Sequence, residues 1–126
     1  MTGETILIVD DSPLNLKLVE YLLTVKGYEI HTATNAEEAL QLLNTLDPKL
    51  ILMDIQLPGM DGLELTSILK AKPKYKTIPI IAITAYAMKG DKEKTLAAGC
   101  DGYITKPIDT RTLPDVIAGY LDKTNV

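Results

Sequence analysis

Five strand-like segments, three of them compact aliphatic runs, alternate along this chain with segments whose apolar residues recur at helical spacing. Ile6-Leu7-Ile8-Val9 is wholly apolar and ends abruptly in Asp10-Asp11. A short strand without polar alternation suits a sheet covered on both faces. Ser12-Pro13 then has the form of a helix cap and first helical position, with Leu16, Val19, Leu22 and Leu23 at helical spacing behind it. Gly27 is a natural stop for that helix.

The pattern repeats. Residues 29–33 can form a strand, and Asn35-Ala36-Glu37-Glu38 has the form of a capping box opening a helix through Leu40 and Leu43 that ends near Asp47-Pro48. Residues 50–53 predict a third strand leading into Asp54 and the loop Gln56-Leu57-Pro58-Gly59-Met60. Asp61 reads as the cap of a helix carrying Leu65, Ile68 and Leu69. A fourth strand is expected over 78–83, ending at Thr84, then a helix from about 91 to 98 stopped by Gly99. A fifth strand, Gly102-Tyr103-Ile104, runs into Thr105-Lys106-Pro107 before a last helix that ends near Leu121. Pro114 would break that helix if it began at Asp109, so a start near Thr112 is expected. Alternating strands and helices predict an open α/β fold with a parallel sheet and right-handed crossovers.

Composition narrows the chemistry. The chain has 126 residues, the size of one domain, so residues 1–126 are expected to form a single unit with no output domain. Met1 suggests a whole protein or an N-terminal piece. There are six Tyr but no Phe and no Trp, so Leu, Ile, Val and Ala must fill the core. The single Cys100 excludes an internal disulfide or a multi-thiolate metal site, and the single His31 excludes most zinc arrangements and a Ser-His-Asp triad. Net charge is −4 and no unbroken run of Lys and Arg appears, which argues against a nucleic-acid surface. The apolar runs are far below membrane-spanning length, and the N-terminus lacks signal-peptide character, so a cytoplasmic protein is expected.

The polar residues fall at matching places in this alternation. Asp10 and Asp11 follow the first strand, Asp54 the third, Thr84 the fourth and Lys106 the fifth. In an open parallel sheet these are all C-terminal strand ends, the edge where ligands bind. Singly, each has an ordinary reading: loop acids capping a helix, a turn residue, a strand-end hydroxyl, a solvated lysine. Five such accidents at one edge are a poor account of the set. Three carboxylates within about 5 Å repel by roughly 3 kcal/mol per pair at an effective dielectric near 20. A divalent cation removes that cost, and hard oxygen donors with room for water and phosphate suit Mg²⁺. Without a cation, one carboxyl should carry a raised pKa. Asp61 reads as a cap rather than a ligand, Cys100 as a small partly buried hydrophobe, and His31 and the lysines at 89, 92 and 94 as unconnected with the chemistry.

Ile-Leu-Ile-Val-Asp-Asp at 6–11, Leu-Ile-Leu-Met-Asp at 50–54, Leu-Pro-Gly-Met-Asp-Gly at 57–62, Ile-Thr-Ala at 83–85 and Tyr-Ile-Thr-Lys-Pro at 103–107 together resemble the receiver domains of two-component signalling. Ala-Met-Lys-Gly-Asp at 87–91 further resembles single-domain cell-division regulators and the receivers of hybrid kinases. The resemblance implies a flavodoxin-like (βα)5 fold with strand order 2-1-3-4-5 and helices on both faces. It implies that Asp54 accepts a phosphoryl group from a histidine kinase or histidine phosphotransfer protein. Asp11, Asp54 and the Gln56 carbonyl would hold Mg²⁺, with Asp10 assisting through water. Lys106 would pair with the phosphoryl oxygens, and the bond before Pro107 would be cis.

A switch is implied as well. The Thr84 hydroxyl and the Ala85 N–H would bind the phosphoryl group, and Tyr103 would turn inward. The surface of the fourth helix, fifth strand and fifth helix would thereby change for a downstream protein effector. The chain would act as a monomer that modifies itself, so it is not expected to be an enzyme in the usual sense. Gln56 departs from the methionine or asparagine more frequent there, and with Tyr86 it flanks the path of attacking water. Three other functions compete. An aspartate-nucleophile phosphatase of the haloacid dehalogenase type also needs a second Asp two positions after the nucleophile, where this chain has Gln56. A binding module independent of phosphorylation would keep the fold alone. A nucleotide-binding module lacks its glycine-rich loop after the first strand.

Overall fold

The computed structural model describes residues 3–57, 59–84, 89–106 and 108–124, and of 89–92 and 122–124 the backbone only. The strands are β1 (Thr5–Val9), β2 (Glu29–Ala33), β3 (Leu50–Asp54), β4 (Ile80–Thr84) and β5 (Gly102–Thr105). The helices are α1 (Pro13–Val25), α2 (Ala36–Leu43), α3 (Gly62–Lys70), α4 (Lys89–Ala97) and α5 (Leu113–Thr124). All neighbouring strands pair in parallel, in the order β2-β1-β3-β4-β5.

Alternate side chains of each central strand go to opposite faces, which is why apolar runs without alternation were needed. Ile6, Ile8, Leu50, Leu52, Ile81 and Ile83 pack with Leu16, Val19 and Leu23 of α1 and with Leu113, Ile117 and Leu121 of α5. Leu7, Val9, Ile51, Met53, Ile80 and Ala82 form the second core, with Ala36, Ala39 and Leu43 of α2 and Leu65 and Leu69 of α3. Aliphatic residues dominate both cores; Tyr75 is buried beside them, its hydroxyl donating to the Leu43 carbonyl at 3.0 Å.

The caps form where the sequence places them. Ser12 accepts from the Asn15 N–H and Asp61 from the Glu64 N–H. Gly27 and Gly99 take left-handed backbone, with φ of 94° and 110°. The box at α2 is shifted by one residue: Asn35 Oδ1 accepts from the Glu38 N–H, but the Glu38 carboxylate reaches back to the N–H and hydroxyl of Thr34. Several expected boundaries move: α4 begins at Lys89 and α5 continues to Thr124. β4 pairing begins at Ile80 rather than 78, because Pro79 has no N–H to give the ladder. α2 ends at Leu43, and tight turns through Leu46 replace its last helical turn. α5 begins at Leu113, and the carboxylate and carbonyl of Asp109 order the turn ahead of it, accepting from Arg111 N–H and from Thr112 and Leu113 N–H. Pro114 therefore lies in the first helical turn, where its missing N–H costs nothing. Among the described residues no helix is long and apolar enough to cross a membrane.

Candidate functional site

The C-terminal ends of β1, β3, β4 and β5 gather the polar residues singled out above. Asp10 follows β1 and is buried; its backbone N–H donates to the Ala33 carbonyl of β2, which pins the start of the loop. Asp10 Oδ1 accepts from the Ser12 N–H at 2.8 Å, and Oδ2 lies 3.5 Å from the Asn15 side-chain nitrogen. Asp11, next in the chain, is exposed. Asp54 closes β3 and is buried, with its Oδ1 accepting from the Gln56 N–H at 2.9 Å. Its Oδ2 is 3.1 Å from Lys106 Nζ. Lys106 is aimed there because its own N–H donates to the Thr84 carbonyl at 2.7 Å, continuing the pairing of β4 with β5.

One oxygen from each of Asp10, Asp11 and Asp54 can be chosen so that all three lie within 4.8 Å of one another. Three acids and one lysine leave the cluster with excess negative charge when all are ionised. Asp10 carries the consequence: its pKa is raised, first by burial and further by the charge of Asp54, against the opposing Ser12 N–H and Lys106 charge. Burial is the larger cause, and of the other two acids only Asp54 contributes. The donors are hard oxygens, two buried and one open to water, a set that suits a hard cation such as Mg²⁺.

Thr84 is buried at the end of β4, level with Thr105 across the sheet. Tyr103 is half-buried on β5, against the core that lies beneath α2 and α3. The Gln56 side chain is exposed, and its N–H is the group the structure engages, on Asp54. Ala85, Tyr86 and Pro107 lie outside the described residues. Asp61 serves as the α3 cap, His31 pairs with Glu29 on the edge strand β2 at 2.9 Å, and Cys100 is buried with its thiol pKa pushed up by burial.

Sequence reasoning passed over three contributors. Ser12 and Asn15 hold the Asp10 carboxylate, a double role visible only in that both stand in the first turn after the acidic pair. Gly62 is the third. A Cβ there would lie 2.3 Å from the Asp54 carbonyl oxygen and 2.7 Å from Ile55 Cα. The start of α3 thus rests on the backbone of the residue following Asp54, and the Gly62 N–H donates to the Ile55 carbonyl at 3.2 Å. A glycine one residue after a helix cap was the available signal.

A family model described as the response regulator receiver domain matches residues 6–118. The chain is 46% identical over 118 residues to the polar-differentiation response regulator DivK of Brucella anthropi, covering 94% of this chain and 96% of that protein. Among solved structures, a CheY-like response regulator receiver domain protein from Methanospirillum hungatei superimposes with a TM-score of 0.90 at 34% identity, covering 98% of each chain. The receiver domain of sensor histidine kinase PA1611 from Pseudomonas aeruginosa, solved with a magnesium ion coordinated in its active site cleft, gives 0.87 at 32% identity over 96% of this chain and 99% of that one.

Proposed function

The chain belongs to the response regulator receiver domain family of two-component signalling, and from that premise we propose that Asp54 is its phosphoacceptor. The observation that carries the reading is the buried Asp54 carboxylate held between the Gln56 N–H and Lys106 Nζ, beside two further acids. An oxygen of Asp54 attacks phosphorus, the bond to the donor's imidazole nitrogen breaks, and an acyl phosphate forms on Asp54. Lys106 Nζ, already 3.1 Å from the carboxylate, follows the negative charge onto the phosphoryl oxygens. Asp11, Asp54 and the Gln56 carbonyl are the groups that would hold Mg²⁺, with Asp10 acting through water; when bound, the ion offsets the charge of acids and phosphoryl alike.

The Thr84 hydroxyl and Ala85 N–H receive the phosphoryl oxygens, and Tyr103 turns inward, so that α4, β5 and α5 present a different surface to a downstream protein. The donor is a histidine kinase or a histidine phosphotransfer protein, the setting cytoplasmic. The reacting unit is the monomer. The protein modifies itself and turns over no separate substrate. The phosphatase reading is not favoured, because Gln56 stands where such an enzyme needs its second acid.

Intact mass after incubation with acetyl phosphate and Mg²⁺ tests the reading. One added phosphoryl group, absent in Asp54→Asn and in EDTA, is the expected result. A label that survives in Asp54→Asn would refute it, and a folded, Mg²⁺-binding protein that takes no label from acetyl phosphate or from a kinase would favour a module independent of phosphorylation.

A further inference from the structure

Lysine is concentrated at one place on this molecule. Lys70, Lys72, Lys74 and Lys76 alternate along the turns between α3 and β4, and Lys49 stands just ahead of β3. All five lie at the N-terminal edge of the sheet, opposite the acids that gather around Asp54. Two acids answer them: Asp101 is 3.0 Å from Lys70, and Asp47 is 3.8 Å from Lys74. Lys49, Lys72 and Lys76 are exposed and pair with no acid among the described residues. The next acids along this edge, Glu4 and Glu29, stand at the heads of β1 and β2. A chain of net charge −4 thus carries a local surplus of positive charge.

The lysines are carried on fixed backbone. Tyr75 is buried with its hydroxyl on the Leu43 carbonyl, and Lys70 Nζ donates to the carbonyls of Lys76 and Ile78. Lys74 Nζ is 3.3 Å from the Leu43 carbonyl and 5.4 Å from the centre of the Tyr75 ring. Between this loop and the turn before β3 lies an open cleft of about 400 Å³, within the size range of small-ligand sites. Pro48, Ile78 and Pro79 supply its apolar lining, while Lys49, Lys74 and Thr77 bring two ammonium groups and a hydroxyl. The Thr77 hydroxyl has no hydrogen-bond partner among the described residues. Repulsion among these lysines is not offset within the chain, and an anion in the cleft offsets it.

The lining selects the kind of anion. A lysine ammonium is a compact point charge suited to phosphate, whereas carboxylates are matched best by the planar fork of arginine. The chain's single arginine, Arg111, stands on the turn ahead of α5. No exposed aromatic ring on either loop offers a base a stacking surface. None of the exposed large apolar side chains lies on these loops to enter a lipid surface. We propose that this cleft binds a small soluble ligand with two neighbouring phosphate groups, held by Lys49, Lys74 and Thr77 and drawn in by Lys72 and Lys76. Asp47, whose side chain is 86% exposed, gives up Lys74 to the ligand and turns to water. The site lies at the sheet edge away from Asp54 and is independent of the phosphoacceptor reading.

Amide NMR shifts of the nitrogen-labelled full chain, titrated with sodium pyrophosphate in EDTA at about 20 mM salt, test this. EDTA removes divalent cations, so the acids at the other edge repel the probe. Saturable shifts strongest at residues 47–49 and 72–79 are expected, with a dissociation constant on the order of 1 mM. Lys49→Gln should weaken binding about threefold, and Asp47→Asn should tighten it by about as much. Lys17→Gln, on α1, makes the same change of net charge as Lys49→Gln and should leave the constant unchanged. All three positions are exposed, and unchanged thermal melting would confirm intact folds. Binding that fails to saturate by about 20 mM pyrophosphate overturns the proposal. So do shifts strongest elsewhere on the molecule, or an equal loss in Lys17→Gln and Lys49→Gln.

Discussion

Two lysine–aspartate pairs sit at opposite edges of the same sheet, nearly identical in length and unlike in everything else. At the N-terminal edge, Lys70 Nζ is 3.0 Å from Asp101 Oδ2. At the C-terminal edge, Lys106 Nζ is 3.1 Å from Asp54 Oδ2. Lys70 also donates to the carbonyls of Ile78 and Lys76, and Asp101 accepts the Ile80 N–H at 2.8 Å. One positive charge meets one negative charge, and the end of α3 is tied to the first residue of β4. The Lys106 ammonium has Asp54 as its one acceptor among the described residues, and Asp54 shares its surroundings with two more acids. The same pair of residue types is a clasp where charges and hydrogen bonds close. Where they do not, it is the proposed phosphorylation site.

Substitution of the two aspartates should separate these roles most sharply. Asp54→Asn is expected to abolish labelling by acetyl phosphate while leaving the metal-free protein as stable or more so, because it relieves repulsion among the acids. Asp101→Asn should keep the label, with a lower denaturation midpoint. A labelled Asp54→Asn protein would end the comparison.

Lys70→Ala should cost about 1–3 kcal/mol in urea unfolding, since it strands two backbone carbonyls and Asp101, and labelling of the folded fraction should be unchanged. Gly62→Ala joins stability to the site: its Cβ cannot be placed without moving the Asp54–Ile55 backbone, so a similar loss, about 1–3 kcal/mol, should come with slower labelling. Unimpaired labelling in that variant would show that the α3 start does not position Asp54.

Mg²⁺ at tenfold over its dissociation constant should stabilise the wild type by about 1.4 kcal/mol, a few degrees in melting temperature. Asp11→Asn should lose that response and Asp101→Asn should keep it. The smallest effect is in pH. The folded, metal-free protein holds a proton on Asp10 more tightly than the unfolded chain, whose aspartates titrate near 3.8. The stability this contributes is full below that value and is lost as pH rises through the raised pKa. Unfolding in EDTA across that window should show the decline, and Asp10→Asn should flatten it.

What the chain dictates by itself is what depends on order and periodicity. Apolar runs without alternation specify strands buried on both faces, Ser12, Asn35 and Asp61 announce helix starts through their side-chain oxygens, and Gly27 and Gly99 end helices by taking left-handed backbone. Because parallel strands put all their C-terminal ends at one edge, Asp10, Asp11, Asp54, Thr84 and Lys106 are brought together by topology alone. Contacts across the fold are another matter. That Lys70 meets Asp101 rather than water, that Gly62 must lack a side chain because the Asp54 carbonyl lies against it, and that burial beside Asp54 raises the pKa of Asp10 all depend on distances between distant segments. Residues 70 and 101, or 54 and 62, carry no periodic sign of each other. Only packing decides which charges are closed into a clasp and which are left with unbalanced charge at the proposed site.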